Sequence, residues 1–220
     1  MTVLFEYPKK AYFGRIVPKS KFYEHASISA KQKELFVKQV EQITWEYKLA
    51  PETLNLNATH DVPELQIFKI VLKANEYSND LLRLIDQAVK YPLIFEIYSE
   101  NGIKVAAAYK RRSEANSDQW VLGSYYHSDL LPLQTTREPL EYSLSLSSVY
   151  EQILKTLLPL KGRQNEKIDE LIIRNDLFQK KTLELRKIEK KLNVEKQFNK
   201  KVELNSTLKN LMRDIEQIAA

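Results

Sequence analysis

The last 58 residues of this 220-residue chain, from Arg163 onward, contain neither glycine nor proline. A segment without its strongest helix breakers, and with apolar residues at helical spacing, predicts long helices. The apolar spacing changes phase between Leu192 and Phe198. A turn near Asn193 would give an antiparallel helical hairpin, whereas a stutter would leave one long coiled-coil helix. We favour the hairpin.

An apolar stripe on such a helix must be covered by a hairpin partner, by a second copy of the chain or by another protein. Most of the apolar residues that follow the phase change share one helical face. The predicted partner-binding residues are Phe198, Val202, Leu208, Leu211 and Ile215. The sequence therefore predicts a C-terminal arm that serves assembly.

The net charge of +5 belongs entirely to residues 161–220, which carry 15 Lys and Arg against 10 Asp and Glu, while residues 1–160 carry 19 of each. Such a local excess predicts contact with a polyanion or an acidic protein. An opening strip, residues 5–23, also mixes aromatic and basic residues, which can stack bases and neutralise phosphates. The predicted nucleic-acid-binding residues are Lys187, Lys190, Lys191, Lys200 and Lys201 in the arm, and Lys19 and Lys21 in the strip.

Residues 1–146 combine two amphipathic helical patterns with several β-rich runs. Ser29 and Ser78 stand at N-cap positions before the two helices. Asn101-Gly102, between two β-rich runs, is a strong hairpin signal. These elements predict an α+β fold with a small antiparallel or mixed sheet and packed helices, followed by the C-terminal helical hairpin or coiled-coil arm.

The character of the chain changes near residue 147. Ser148 and Glu151 have the spacing of a capping box, and a strong apolar stripe follows until Pro159 ends it. We therefore divide the chain into an α+β core domain, 1–146, and a helical C-terminal region, 147–220, that carries the basic arm.

The composition favours a soluble, cytoplasmic protein. Apolar residues make up 43% of the chain and charged residues 29%, which suits a packed core. The absence of cysteine excludes disulfides, zinc-thiolate sites and cysteine nucleophiles, and it fits a reducing compartment. No window approaches the roughly 18 apolar residues of a membrane span, and the first residues lack the order of a secretory signal, so no membrane contact is expected.

One acidic pattern suggests catalysis. Asp61, followed by Glu64 and Gln66 at the start of a β-rich run, is similar to the acidic pair and polar third residue with which restriction-type nucleases hold Mg²⁺. The two acids are closer in sequence than in the usual arrangement, and glutamine replaces the usual lysine. In the structural alternative, Asp61 caps a turn while Glu64 and Gln66 face solvent on an alternating strand.

Other catalytic and cofactor patterns find no support in the sequence. The histidines His25, His60 and His127 are scattered and have no partner at metal-ligand spacing, so no metal site is predicted. The four glycines stand alone, so no phosphate loop and no nucleotide cofactor are expected. We expect a protein without cofactors that is not an enzyme.

Several strings resemble an uncharacterised bacterial family known as a domain of unknown function. They are residues 18–24 (PKSKFYE), 47–56 (YKLAPETLNL), 64–68 (ELQIF), 157–161 (LLPLK) and 195–205 (EKQFNKKVELN). The resemblance runs nearly end to end. It implies a genomic neighbourhood of DNA methyltransferases and helicases of restriction or phage-defence type, and it implies no activity.

Three functional hypotheses follow. The first is a non-enzymatic accessory or adaptor protein of a DNA-processing system that binds a protein partner, of helicase or methyltransferase type, and in addition DNA without sequence preference. The second is a divergent Mg²⁺-dependent nuclease that uses Asp61 and Glu64. The third is a structural protein that assembles into homo-oligomers.

Overall fold

The computed structural model describes residues 3–25, 28–116 and 118–220, and of His25 it describes only the backbone. The chain forms two compact units, Met1–Leu157 and Leu158–Ala220. This division falls later than the predicted one at residue 146, because the helix Leu146–Leu157 belongs with the first unit. The cap of that helix is Ser145, whose Oγ accepts a hydrogen bond from the N–H of Ser148, so Ser148 lies inside the helix and is not its cap.

A mixed six-stranded sheet forms the centre of the first unit, as the predicted α+β class requires. Its strands, in spatial order, are β2 (Tyr12–Ile16), β3 (Val40–Leu49), β4 (Leu65–Leu72), β5 (Leu93–Ser99), β6 (Gly102–Arg112) and β7 (Trp120–His127). Within this sheet β4 and β5 pair in parallel, whereas the other neighbouring strands are antiparallel, and a helix connects β4 to β5. The predicted hairpin at Asn101-Gly102 is confirmed, since Ser99 pairs with Gly102, whose φ of +147° is accessible to glycine. Two short strands, β1 (Phe5–Glu6) and β8 (Glu138–Pro139), pair in parallel outside this sheet.

The described residues of the first unit form five α-helices: α1 (Lys19–His25), α2 (Ala30–Gln39), α3 (Pro51–Leu54), α4 (Asn79–Ala88) and α5 (Leu146–Leu157). Both predicted caps are confirmed. The Oγ of Ser29 accepts the N–H of Gln32, and that of Ser78 accepts the N–H of Leu81. Each cap satisfies a backbone donor that the helix itself leaves unpaired, and so each fixes where its helix begins.

The sheet is covered on both faces. Phe68 and Phe95 belong to a core cluster that also contains residues of α1, α2 and α4, such as Phe22, Phe36 and Ile85. Residues on the other face, such as Ile67, Ile94 and Ala107, are buried as well. In α5, Tyr150 donates a hydrogen bond to the carbonyl of Ala108 in β6, at 2.7 Å. The central strands are therefore buried on both sides and do not alternate between core and solvent.

The second unit confirms the hairpin prediction. It consists of α6 (Ile168–Val194) and α7 (Phe198–Ala219), joined by the three residues 195–197. Lys181 of α6 and Asp214 of α7 form an ion pair at 2.8 Å. Arg174, near the start of α6, donates to the carbonyl of Ile218, near the end of α7. These contacts place the two helices side by side in opposite directions.

Within the described residues, no helix is both long enough and apolar enough to cross a membrane.

Candidate functional site

The two arm helices meet along a narrow apolar seam. The seam residues are buried or half-buried. They recur at seven-residue intervals in α6 and at alternating four- and three-residue intervals in α7. They are Leu171, Phe178, Leu185 and Leu192 in α6, and Leu204, Leu208, Leu211, Ile215 and Ile218 in α7. This spacing is typical of paired helices. Leu208, Leu211 and Ile215, three of the five predicted partner-binding residues, are thus covered by the hairpin itself.

The other two predicted partner-binding residues point away from the seam. Val202 precedes Leu208 by six residues, which corresponds to a rotation of about 240° around a helix. Phe198 lies one helical turn before Val202 and shares its face. The exposed fractions are 77% for Phe198 and 52% for Val202, and Val194 at the end of α6 is 77% exposed. We call these three residues the apolar tip of the arm.

The five predicted arm lysines lie around this tip, and all are exposed. Residues 187–202 contain six lysines and two glutamates, a local net charge of +4. The ion pairs within the arm involve Lys181 and Arg174 and none of these five lysines. The pKa of Glu195 is lowered, first by the backbone N–H groups of Gln197 and Lys196 and then by Lys200 and Lys201. The hairpin therefore gathers cations from both helices at one end.

The two predicted lysines of the opening strip are already engaged. The Nζ of Lys19 donates to the carbonyl of Val40, and burial, followed by the charge of Lys73, lowers the pKa of Lys19. Lys21 forms an ion pair with Glu24 at 3.0 Å. These cations support α1 and its neighbour β3, and they lie in the first unit while the arm lysines lie in the second.

The three residues of the nuclease hypothesis are divided between two small clusters. The carboxylate of Asp61 is exposed and lies 3.2 Å from Nδ1 of His60. Glu64 accepts a hydrogen bond from Gln66 and lies 3.5 Å from the ammonium of Lys48. Gln66 is only 5% exposed, so the structural alternative, in which it faces solvent, is wrong for this residue. The nuclease stays a prediction, and Mg²⁺-dependent cleavage that disappears in both Asp61→Ala and Glu64→Ala would support it.

In the described part of the chain, no three side chains among His, Asp and Glu converge in a way that could hold a metal ion. His60 pairs with Asp61, and His127 accepts or donates a hydrogen bond at the hydroxyl of Tyr77, 2.9 Å away. The side chain of His25 lies outside the described residues.

Sequence reasoning missed a buried ion pair between Glu96 of β5 and Arg137, in the loop before β8. Arg137 donates to both carboxylate oxygens of Glu96 and, at 2.8 Å, to the carbonyl of Phe5 in β1. The pair raises the pKa of Arg137, and burial together with Glu96 raises the pKa of Tyr98 to about 12. No sequence signal indicates this pairing, because the partners are 41 residues apart.

A second buried pair links α4 to β6. The ammonium of Lys110 lies 3.1 Å from the carboxylate of Asp86 and donates to the carbonyls of Asp86 and Val89 at the end of α4. The hydroxyl of Tyr125 donates to the other oxygen of Asp86 at 2.8 Å. Burial raises the pKa of Asp86 and lowers that of Lys110, with each partner's charge opposing the shift. Lys110 therefore satisfies carbonyls at the end of a helix inside the core.

A family model with the description "Domain of unknown function (DUF4391)" matches residues 5–215. No curated protein matches the chain. No solved structure matches it either.

Proposed function

The chain belongs to the DUF4391 family of unknown function, and we propose that it is an accessory or adaptor protein that captures a partner protein with the tip of its helical arm. The observation that carries this proposal is the exposure of Phe198, Val194 and Val202 among exposed lysines. The proposed partner surface is acidic and has an apolar anchoring pocket at its centre.

The physical case rests on the cost of exposing large apolar side chains. Burying a side chain such as that of phenylalanine stabilises a folded or bound state by roughly 1.5–3 kcal/mol. The seam side chains are buried within the hairpin, whereas the tip side chains remain exposed. Apolar clusters rimmed by charge are typical of docking sites, where an aromatic residue fills a pocket. The surrounding lysines would steer an acidic surface toward the tip and raise the association rate.

The state of the polar side chains favours binding over catalysis. Glu64 and Gln66 are hydrogen-bonded to one another, and the buried acids Asp86 and Glu96 are paired with cations. The arm lysines, in contrast, have their charges in solvent. The resemblance noted above implies the partner class, a helicase or methyltransferase of a DNA-processing system of restriction or phage-defence type.

Replacing the apolar tip with serine, in the variant Val194→Ser/Phe198→Ser/Val202→Ser, should abolish co-purification with the proposed partner of helicase or methyltransferase type. Loss of a single aromatic anchor costs about 2 kcal/mol or more, so the combined loss should exceed about 100-fold in Kd, measured by calorimetry on the purified pair. These residues lie off the seam, so the helical signal in circular dichroism should not change.

A matched control is Leu144→Ser, which changes a 72% exposed leucine of the first unit and should leave capture intact. Equal binding by the tip variant and the wild type would rule out the proposed surface. Light scattering on the purified wild type and the tip variant tests for homo-oligomers. If the wild type is a dimer and the tip variant is a monomer, the tip binds a second copy of the chain. The structural hypothesis would then replace the adaptor hypothesis.

The exposed lysines also favour a second candidate, weak binding of DNA without sequence preference. The slope of log affinity against log salt on duplex DNA should be about −0.9 for each phosphate contact. Replacing Lys187, Lys190, Lys191, Lys200 and Lys201 with alanine should therefore weaken binding and flatten this slope, as measured by fluorescence anisotropy between low and physiological salt. The control, with the same charge change in the first unit, replaces the exposed lysines Lys9, Lys10, Lys31, Lys33 and Lys90. This role of the arm would be contradicted if the affinity for DNA did not depend on salt concentration, or if the control substitutions weakened binding and the arm substitutions did not.

A further inference from the structure

A polar cavity of about 320 Å³ opens at one edge of the six-stranded sheet. It is lined by six residues, all with polar side chains: Asn75, Glu76, Tyr77, Asn79, Lys104 and His127. Asn75, Glu76 and Tyr77 follow the carboxyl end of β4, which runs parallel to β5, and Asn79 begins α4. In open sheets with parallel strands, ligands bind outside the carboxyl ends of those strands, beside the connecting helix.

The antiparallel strands bring two further groups to the same edge. Lys104 lies near the start of β6, and His127 ends β7. Ala106 pairs with His127 in the sheet, and Lys104 lies two residues before Ala106, so both side chains stand on one face. That is the face which α4 covers further along the strands.

The ring of His127 is held in a defined orientation. Its Nδ1 lies 2.9 Å from the hydroxyl of Tyr77, and burial raises the pKa of Tyr77 to about 12, so the hydroxyl keeps its proton. The hydroxyl can donate to Nδ1, which leaves the ring proton on Nε2, and this is the tautomer that the site proposed below requires. Burial, and then the charge of Lys104, lower the pKa of His127, so the ring is neutral at pH 7.

The basic side chain at the cavity is more buried than the acidic side chains near it. Lys104 is half-buried, and its ammonium takes part in no ion pair with a described residue. Glu76 lines the cavity but is exposed, as is Asp80 in the first turn of α4, so water solvates both carboxylates. Because Lys104 lines the cavity and has no ion-pair partner among the described residues, an anion in the cavity would gain a charge-assisted bond to its ammonium.

We propose that this cavity binds a phosphate monoester, with Lys104 as the counter-ion and with the His127 ring and the side-chain amides of Asn75 and Asn79 as hydrogen-bond donors. A phosphate group offers three acceptor oxygens, which suits four donor side chains better than the two oxygens of a carboxylate. The site lies in the first unit and does not depend on the function proposed for the arm.

The test titrates the full-length protein with inorganic phosphate, against potassium chloride of equal ionic strength, and follows the His127 ring by NMR. The shift of the His127 resonances should saturate as phosphate is added. Bound phosphate should also raise the pKa of His127, because a dianion favours the imidazolium. Because His127→Gln removes the ring that NMR follows, isothermal titration calorimetry compares the variants with the wild type. Lys104→Met and His127→Gln should each weaken phosphate binding about tenfold, the effect of losing one charged hydrogen bond. Lys90→Met, an exposed lysine beyond the other end of α4, should bind like the wild type.

Two further probes identify the source of the phosphate. A 5′-phosphorylated trinucleotide that binds more tightly than inorganic phosphate, while its 5′-hydroxyl form does not bind, would identify a nucleic-acid end. Equal affinity for phosphate and for the phosphorylated trinucleotide would identify a small phosphate compound. The proposal is overturned if phosphate moves the His127 resonance no more than chloride does, or if Lys104→Met and His127→Gln both bind phosphate like the wild type. The wild-type titration decides the outcome even where a variant does not fold.

Discussion

Replacing Arg137 with alanine should lower the free energy of unfolding by about 3–5 kcal/mol, because it would leave the carboxylate of Glu96 buried without a partner. The side chain of Glu96 is 2% exposed and that of Arg137 is 29% exposed. Arg137 also donates to the carbonyl of Phe5, so the change removes a hydrogen bond to β1 as well. Chemical denaturation followed by circular dichroism measures the effect.

Two further variants make this result specific. Lys155→Ala removes an ion pair with Glu151 whose side chains are 46% and 35% exposed, and it should cost less than about 1 kcal/mol. Replacing both buried partners, in Arg137→Met/Glu96→Leu, should recover much of the lost stability, because no unpaired charge remains. An Arg137→Ala protein as stable as Lys155→Ala would show that the buried pair contributes little.

Deleting residues 163–220 should abolish partner capture completely while residues 1–157 remain folded. The first unit contains the six-stranded sheet, the helices α1 to α5 and the ion pairs of Glu96 and Asp86, and the deletion leaves these strands in place. Residues 1–160 also carry balanced charge. A cooperative thermal transition close to that of the full chain, together with loss of co-purification, is the expected pair of results.

The contrary outcome has a distinct physical meaning. If the arm is a lid on the first unit, the truncated protein will aggregate or melt at a much lower temperature, since apolar surface would become exposed. The assembly role of the arm would then be withdrawn. The serine variant of the apolar tip separates the two cases, because it keeps both helices and their seam.

Several features of this fold could be predicted because they depend on neighbouring residues. The caps at Ser29 and Ser78, and the turn at Gly102, each satisfy a local backbone requirement. The hairpin followed from the phase change after Leu192 in a segment without helix breakers. Phe198 and Val202, in contrast, were grouped with Leu208 on one face, and the structure shows that they lie off the seam.

Other features could not be predicted, because they depend on which strands lie side by side. Gln66 is buried since β4 is an interior strand with both faces covered, and alternation in a single sequence does not reveal how many layers surround a strand. Lys110 belongs to a basic run that favours an exposed strand end, yet β6 places it against the end of α4. Its ammonium offsets helix carbonyls that no local residue satisfies.

The sequence by itself therefore determined where helices begin, where the chain turns and where the cations lie, because caps, periodicity and net charge act over a few residues. Only the tertiary structure decided which groups meet. Glu96 and Arg137 are 41 residues apart, and Tyr77 and His127 are 50 apart. In each pair one partner lies in a strand and the other in a loop, so the order of the strands and the course of the loops bring them together. Strand order follows from how the whole sheet buries its two faces, a requirement that no local pattern encodes.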